Sequence, residues 1–103
     1  MKSLAETLRD LRNARGLLLR EVAAELSVDP SLLSRIEHGE KRPTRDQVLL
    51  LAKILDCDAD DLVVAYLSDK VVYELQGEKL ALRAVQIAER KITYSRKSRK
   101  QRN

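Results

Sequence analysis

The chain has 103 residues, 44% of them apolar, and 20 Lys+Arg against 16 Asp+Glu give it a net charge of +4. That length fits one domain, or a smaller domain with an extension. A single Cys and a single His cannot build a zinc site between them or close an internal disulfide. Three Tyr without Trp or Phe argue against an RNA binder that stacks bases on rings, and no apolar run approaches the ~18 residues of a membrane span. No signal peptide is legible, and a reduced, cytoplasmic setting is expected.

In chain order, Leu4, Leu8, Leu11 and Ala14 recur at helical spacing after Ser3, a candidate N-cap with Glu6 three residues on; Gly16 ends this helix. A second helix runs over 19–26 with Val22, Ala23 and Leu26 on one face. Ser27-Val28 form a turn, and Asp29-Pro30 open a third helix: Asp caps, and Pro at the first position gives up an amide that has no intrahelical partner. Leu32, Leu33 and Ile36 are its apolar residues, and Gly39 ends it. After the loop 40–43, Thr44 caps a fourth helix through about Leu55, with Val48, Leu51, Ala52 and Leu55 on one face. Asp58 caps a fifth over 59–67, with Asp60 and Asp61 at its positive end. Two more are predicted, over about 69–75 and 78–93. The prediction is an all-α chain with few turn residues for a sheet.

The charge is divided unevenly. Residues 1–67 hold 10 basic and 12 acidic residues, and residues 68–103 hold 10 basic and 4 acidic. No acid occurs among the last 14 residues. Residues 95–103 read as a basic, disordered tail, either merely solvated or in contact with phosphates.

Residues 18–39, LLREVAAELSVDPSLLSRIEHG, place two short helices on either side of a tight turn. Ala23 is small where the helices approach, Val28 plugs the turn, and Leu33 and Ile36 hold the second helix in the core. Ser31, Leu32, Ser34 and Arg35 are left to face outward. A helix presented in this way fits the major groove, with its N-terminal residues near base edges.

With LRDLRNARGL before this motif, SRIEHGEKRPT overlapping its end and LLLAKILDCDADDL after it, the chain closely resembles the Cro and phage-repressor (xenobiotic-response-element) type of helix-turn-helix from about Leu4 to Leu67. The resemblance implies a five-helix bundle, here followed by a two-helix extension over 68–94, that binds double-stranded operator DNA as a homodimer and acts as a regulator of transcription, a repressor or autoregulator. It assigns base or phosphate contacts to Ser31, Ser34 and Arg35, with Arg35 the strongest base reader because a guanidinium can bond guanine bidentately. It puts Lys41, Arg42 and Thr44 in a loop that touches the DNA backbone. It also pairs Arg12 with Glu37 in a partly buried salt bridge of structural role. Dimerisation is expected through Leu62, Val63 and Tyr66 of the fifth helix, or through Leu82 and Val85 of the extension, whose apolar stripe either packs back on the bundle, joins a second copy, or does both.

Two departures bear on the reading. Leu18 stands at a capping position and Leu19 where many relatives have Gln, so Arg20 is expected to take over a phosphate contact. Pro30 replaces a frequent base reader and has no side-chain donor, which shifts weight to DNA shape. His38 is expected to be exposed or to cap the third helix, with a phosphate contact as the alternative. Cys57 is expected to pack rather than to sense redox state. The carboxylates Asp56, Asp58, Asp60 and Asp61 lack the glycine and ligand pattern of a calcium loop. No nucleophile–base pair appears, so neither an enzyme nor a cofactor is expected. The alternative function is that of an antitoxin or restriction-modification accessory protein that binds a partner protein through 68–103.

Overall fold

The computed structural model describes the backbone of residues 2–101 and the side chains of residues 2–97. Among the described residues there are six helices and no strand: α1 (Leu4–Ala14), α2 (Leu19–Leu26), α3 (Pro30–Glu37), α4 (Arg45–Ile54), α5 (Ala59–Glu74) and α6 (Ala81–Gln101). The chain divides into two units, residues 1–71 and 72–103.

The first unit owes its helix starts to four short polar side chains. The Ser3 hydroxyl accepts from the Glu6 amide at 3.2 Å, Asp29 from the Ser31 amide at 2.8 Å, and Thr44 from the Gln47 amide at 3.2 Å. One Asp58 oxygen takes the amides of both Asp60 and Asp61, at 2.8 and 3.2 Å. Each bond satisfies an amide that the first turn leaves without a partner. Leu18, at the head of α2, has no acceptor to offer. There the Glu21 carboxylate accepts from the Leu18 amide at 2.9 Å, which is half of a capping box.

The core is the sum of the apolar faces. Leu4 and Leu8 of α1, Val22, Ala23 and Leu26 of α2, Leu33 and Ile36 of α3, Val48, Leu51 and Ala52 of α4, and Leu55 just beyond it are all buried. Burying one such large side chain is worth about 1.5–3 kcal/mol. α2 packs on α3 and α4, and α1 on α3. Ala23 is completely buried between its neighbours. Ser27 ends α2 in the left-handed region at φ 61°, which turns the chain sharply, and the Val28 amide closes the turn onto the Ala23 carbonyl at 3.0 Å.

Three features differ from the sequence reading. A separate helix over 69–75 does not form: α5 runs unbroken to Glu74, with no Gly or Pro to stop it, and the Ser68 hydroxyl bonds back to the Ala65 carbonyl at 3.0 Å instead of capping a new helix. On that continuous helix Asp69 reaches the start of α1, where its carboxylate accepts from the Leu4 amide at 3.0 Å. Leu62 is 2% exposed and belongs to the core, so it is not a surface residue for dimerisation. Beyond Gly77, residues 78–80 form a turn, and α6 begins only at Ala81. It continues through Gln101, past the point near Tyr94 where the sequence suggests disorder; Arg, Lys and Gln are good helix formers. The side chains of 98–101, and residues 102–103 altogether, lie outside the described residues.

Candidate nucleic-acid interface

The inner face of α3 fixes the outer one. Leu33, Ile36 and Glu37 are buried, whereas Ser31, Arg35 and His38 are exposed and Ser34 is half-buried. The positions 31, 34, 35 and 38 follow the i, i+3, i+4, i+7 pattern, so they form one stripe along the helix. At its start, Asp29 accepts from both the amide and the hydroxyl of Ser31, at 2.8 and 2.6 Å. These two bonds, the hydroxyl's first, hold the Asp29 carboxyl below its usual range. The Ser31 hydroxyl proton is thereby committed, and its oxygen remains an acceptor. At the other end His38 is the C-cap of α3, with Nδ1 2.6 Å from the Ser34 carbonyl. A carbonyl only accepts, so Nδ1 carries the proton there.

The loop after α3 is tied to the same helix. The amides of Glu40 and Lys41 both donate to the Arg35 carbonyl, at 2.9 and 3.3 Å. Gly39 makes this return possible at φ +75°, a backbone conformation that favours glycine. Lys41, Arg42 and Thr44 are exposed beside it, and Pro43 is buried. The Thr44 hydroxyl caps α4, and the Thr44 amide donates to Gln47 Oε1 at 2.9 Å, so this residue's main role in the fold is a capping box. Arg20 is exposed in the first turn of α2.

Behind the stripe sits the pair anticipated between α1 and α3. Arg12 grips Glu37 with both arms of its guanidinium, Nε to Oε2 at 2.7 Å and Nη2 to Oε1 at 3.0 Å, while Nη1 donates to the Leu17 carbonyl at 2.9 Å. The side chains are 15% and 4% exposed. The bond to Glu37 raises the Arg12 pKa further, against desolvation, so the guanidinium is charged at any ordinary pH. Arg9, a turn before Arg12, donates from Nη1 to the Glu37 backbone carbonyl at 3.3 Å. Two arginines of α1 thus hold the C-terminal end of α3. Only Arg12 is visible from the sequence; Arg9 lies three residues before it, on the same side of α1, which is the signal that could have found it. Arg15 does the equivalent for α4, from Nη1 to the Leu55 carbonyl at 2.9 Å, with Asp56 at 3.3 Å.

Cys57 is half-buried against the core, and burial, then the charges of Asp58, Asp56 and Asp61, push its thiol pKa up. A thiol so placed is a poor nucleophile. Alkylation of the folded protein by iodoacetamide at neutral pH is expected to run slower than that of free cysteine; equal or faster labelling would mark Cys57 as activated. Of the expected dimerisation residues, Val63 and Tyr66 are half-buried, Val85 is 38% exposed and Leu82 is 80% exposed. Among the described residues no helix is long and apolar enough to cross a membrane.

A short helix laid across the outside of a bundle, its inner face in the core and a polar stripe outward, with a left-handed turn joining it to the helix before, defines a helix-turn-helix protein. Residues 3–64 match the model of the family described as a helix-turn-helix domain, and the chain belongs to that family. Two crystal structures of the clp gene regulator ClgR from Corynebacterium glutamicum are similar to it. One is 27% identical, with 64% of this chain and 86% of that chain covered at a TM-score of 0.55. The other is 25% identical, with 86% and 84% covered at a TM-score of 0.57. No curated protein matches the chain significantly.

Proposed function

We propose that this protein is a sequence-specific DNA-binding regulator of transcription, a repressor or autoregulator, that binds a palindromic operator as a homodimer. The observation that carries this reading is the outward stripe Ser31, Ser34, Arg35 and His38 on a helix whose far side is fixed by Leu33, Ile36 and the Arg12–Glu37 pair. A reading helix has to be rigid, because discrimination between bases depends on hydrogen-bond geometry. The similarity to the clp gene regulator ClgR supports the same conclusion.

In this reading Arg35 bonds a guanine edge and Ser31 and Ser34 contact bases or adjacent phosphates. Arg20, Lys41, Arg42 and His38 face the phosphate backbone, and Thr44 approaches it from the start of α4. The first 67 residues carry a small acidic excess, so the attraction is local: it rests on a few cations gathered around α3 rather than on total charge. Val63, Tyr66, Leu82 and Val85 are the candidates for joining two copies. A two-fold pair would set the recognition helices about 34 Å apart, one turn of B-DNA. The chain is read as a binding protein, not an enzyme.

Selection of bound duplexes from a random pool by the purified protein tests this. The expected outcome is a palindromic consensus with half-sites about one helical turn apart. Recovery of no consensus would refute sequence-specific binding, and an asymmetric single site would refute the homodimer.

A further inference from the structure

Three of the basic residues of α6 share one face, whereas Lys91 and Arg96 lie on other sides of the helix. Arg83, Arg90 and Lys97 follow one another at intervals of seven, which at 3.6 residues per turn keeps them on one face within about 40°. All three are exposed. At about 1.5 Å per residue the stripe is about 21 Å long. The opposite face is a different surface: Ala81, Val85, Ala88 and Ile92 repeat at intervals of four and three.

Helix stability does not account for this stripe. A cation near a helix C-terminus is favoured by the macrodipole, which suits Lys97, but Arg83 lies in the first turn, where a positive charge is disfavoured, and that turn contains no acid. Ion pairing does not account for it either. Glu89 is the one acid in 81–101, and its neighbours three and four residues away are Val85, Gln86, Ile92 and Thr93, none of them basic. Among the described residues no carboxylate pairs with Arg83, Arg90 or Lys97. A line of like charges without partners, held against the dipole at one end, is complementary to an external line of negative charge.

We infer that α6 is a second DNA-binding element, whose Arg83–Arg90–Lys97 stripe contacts the phosphates of duplex DNA without regard to sequence. Duplex DNA presents about one negative charge per 1.7 Å of axis, so a stripe of this length meets phosphates in any register. The guanidinium forks of Arg83 and Arg90 match phosphate oxygens bidentately. An anionic membrane fits less well: a helix lying in a bilayer surface needs bulky apolar side chains opposite its cations, and here that side mixes Val85 and Ile92 with the small Ala81 and Ala88 and the polar Ser95 and Arg96. The inference rests on the DNA-binding reading above.

The test is the salt dependence of binding of the full chain to a random-sequence duplex, measured by fluorescence anisotropy. Each phosphate that a cation no longer neutralises lowers the slope of log K against log salt by about 0.9. The triple variant R83Q/R90Q/K97Q is expected to reduce that slope by about two to three for each copy of the chain bound. K79Q/K91Q/R96Q removes the same charge off the stripe and is expected to reduce it by no more than about one. R83K/R90K retains the charge and is expected to retain the slope. Should the glutamine triple lose helicity by circular dichroism, R90Q alone carries the test, with an expected reduction of about one.

Equal reductions in the two triple variants would reduce the stripe to bulk charge and overturn the inference. So would an unchanged slope, or a loss confined to binding of phosphatidylserine vesicles. A wild-type protein that selects an operator while the stripe variant keeps its full slope refutes the stripe alone; a wild-type protein that binds no duplex refutes both readings.

Discussion

Arg35→Ala is expected to bring operator binding down to the level of random DNA while leaving the fold intact. Arg35 is exposed in the middle of the outward stripe, and its backbone carbonyl, not its side chain, anchors the following loop through the amides of Glu40 and Lys41. The substitution keeps that anchor and removes only the guanidinium. A bidentate arginine–guanine contact discriminates by about 1–3 kcal/mol, and a two-fold dimer loses it at both half-sites, so operator affinity should fall by about 2–6 kcal/mol. Unfolding free energy should move by no more than about 0.5 kcal/mol, as for surface positions generally. Arg35→Lys separates the two contributions of the side chain: lysine keeps the charge but lacks the fork, so it should restore affinity for all duplexes more than it restores preference for the operator. Competition between operator and random duplex, run beside urea unfolding, checks both arms. If Arg35→Ala kept the operator preference, the face assigned to base reading would be the wrong one.

How much of this is legible in the sequence follows from which signals are local. The starts of α1, α3, α4 and α5 rest on Ser3, Asp29, Thr44 and Asp58, each of which bonds an amide two or three residues away, so a short window contains the whole cause. Most of the outward stripe is legible for the same reason, because burying Leu33 and Ile36 dictates what lies opposite; Leu32, expected outward with it, instead packs half-buried against the core. The length of α5 is not, since Ser68 can cap a new helix or bond back within an existing one, and the choice depends on the helix around it. The resemblance to a known family puts Leu62 at a dimer surface because it transfers the use of a helix region but not which of its side chains this bundle covers. The contacts of Asp69 with the start of α1, of Arg9 with the end of α3 and of Arg15 with the end of α4 join residues 65, 28 and 40 positions apart. Apart from the three-residue spacing that sets Arg9 beside Arg12, no local pattern encodes them; they exist because the packed core brings helix ends within reach of polar side chains. The Arg12–Glu37 pair is of this kind too, and only the resemblance to a known family points to it.

That pair gives the largest expected effect on stability. Glu37 is 3% exposed, and both of its carboxylate oxygens are taken by Arg12. Arg12→Met leaves a carboxylate in the core with nothing to neutralise it, and breaking a buried pair from one side costs about 3–5 kcal/mol. For a small domain whose total stability is about 5–15 kcal/mol, that is a large fraction of the whole. The cost is not symmetric. Glu37→Met leaves Arg12, which is more exposed and still donates to the Leu17 carbonyl, so this variant should lose less. The double variant Arg12→Met/Glu37→Met removes both charges at similar volume and should recover most of the stability lost in Arg12→Met. Urea unfolding of the four proteins gives the coupling energy directly. Because the pair holds the C-terminal end of the reading helix, operator binding should follow the same order, with the double variant binding better than Arg12→Met. Losses that simply add, with the double variant the least stable of all, would show that the two side chains act independently and that the ion pair is not what holds α3 against α1.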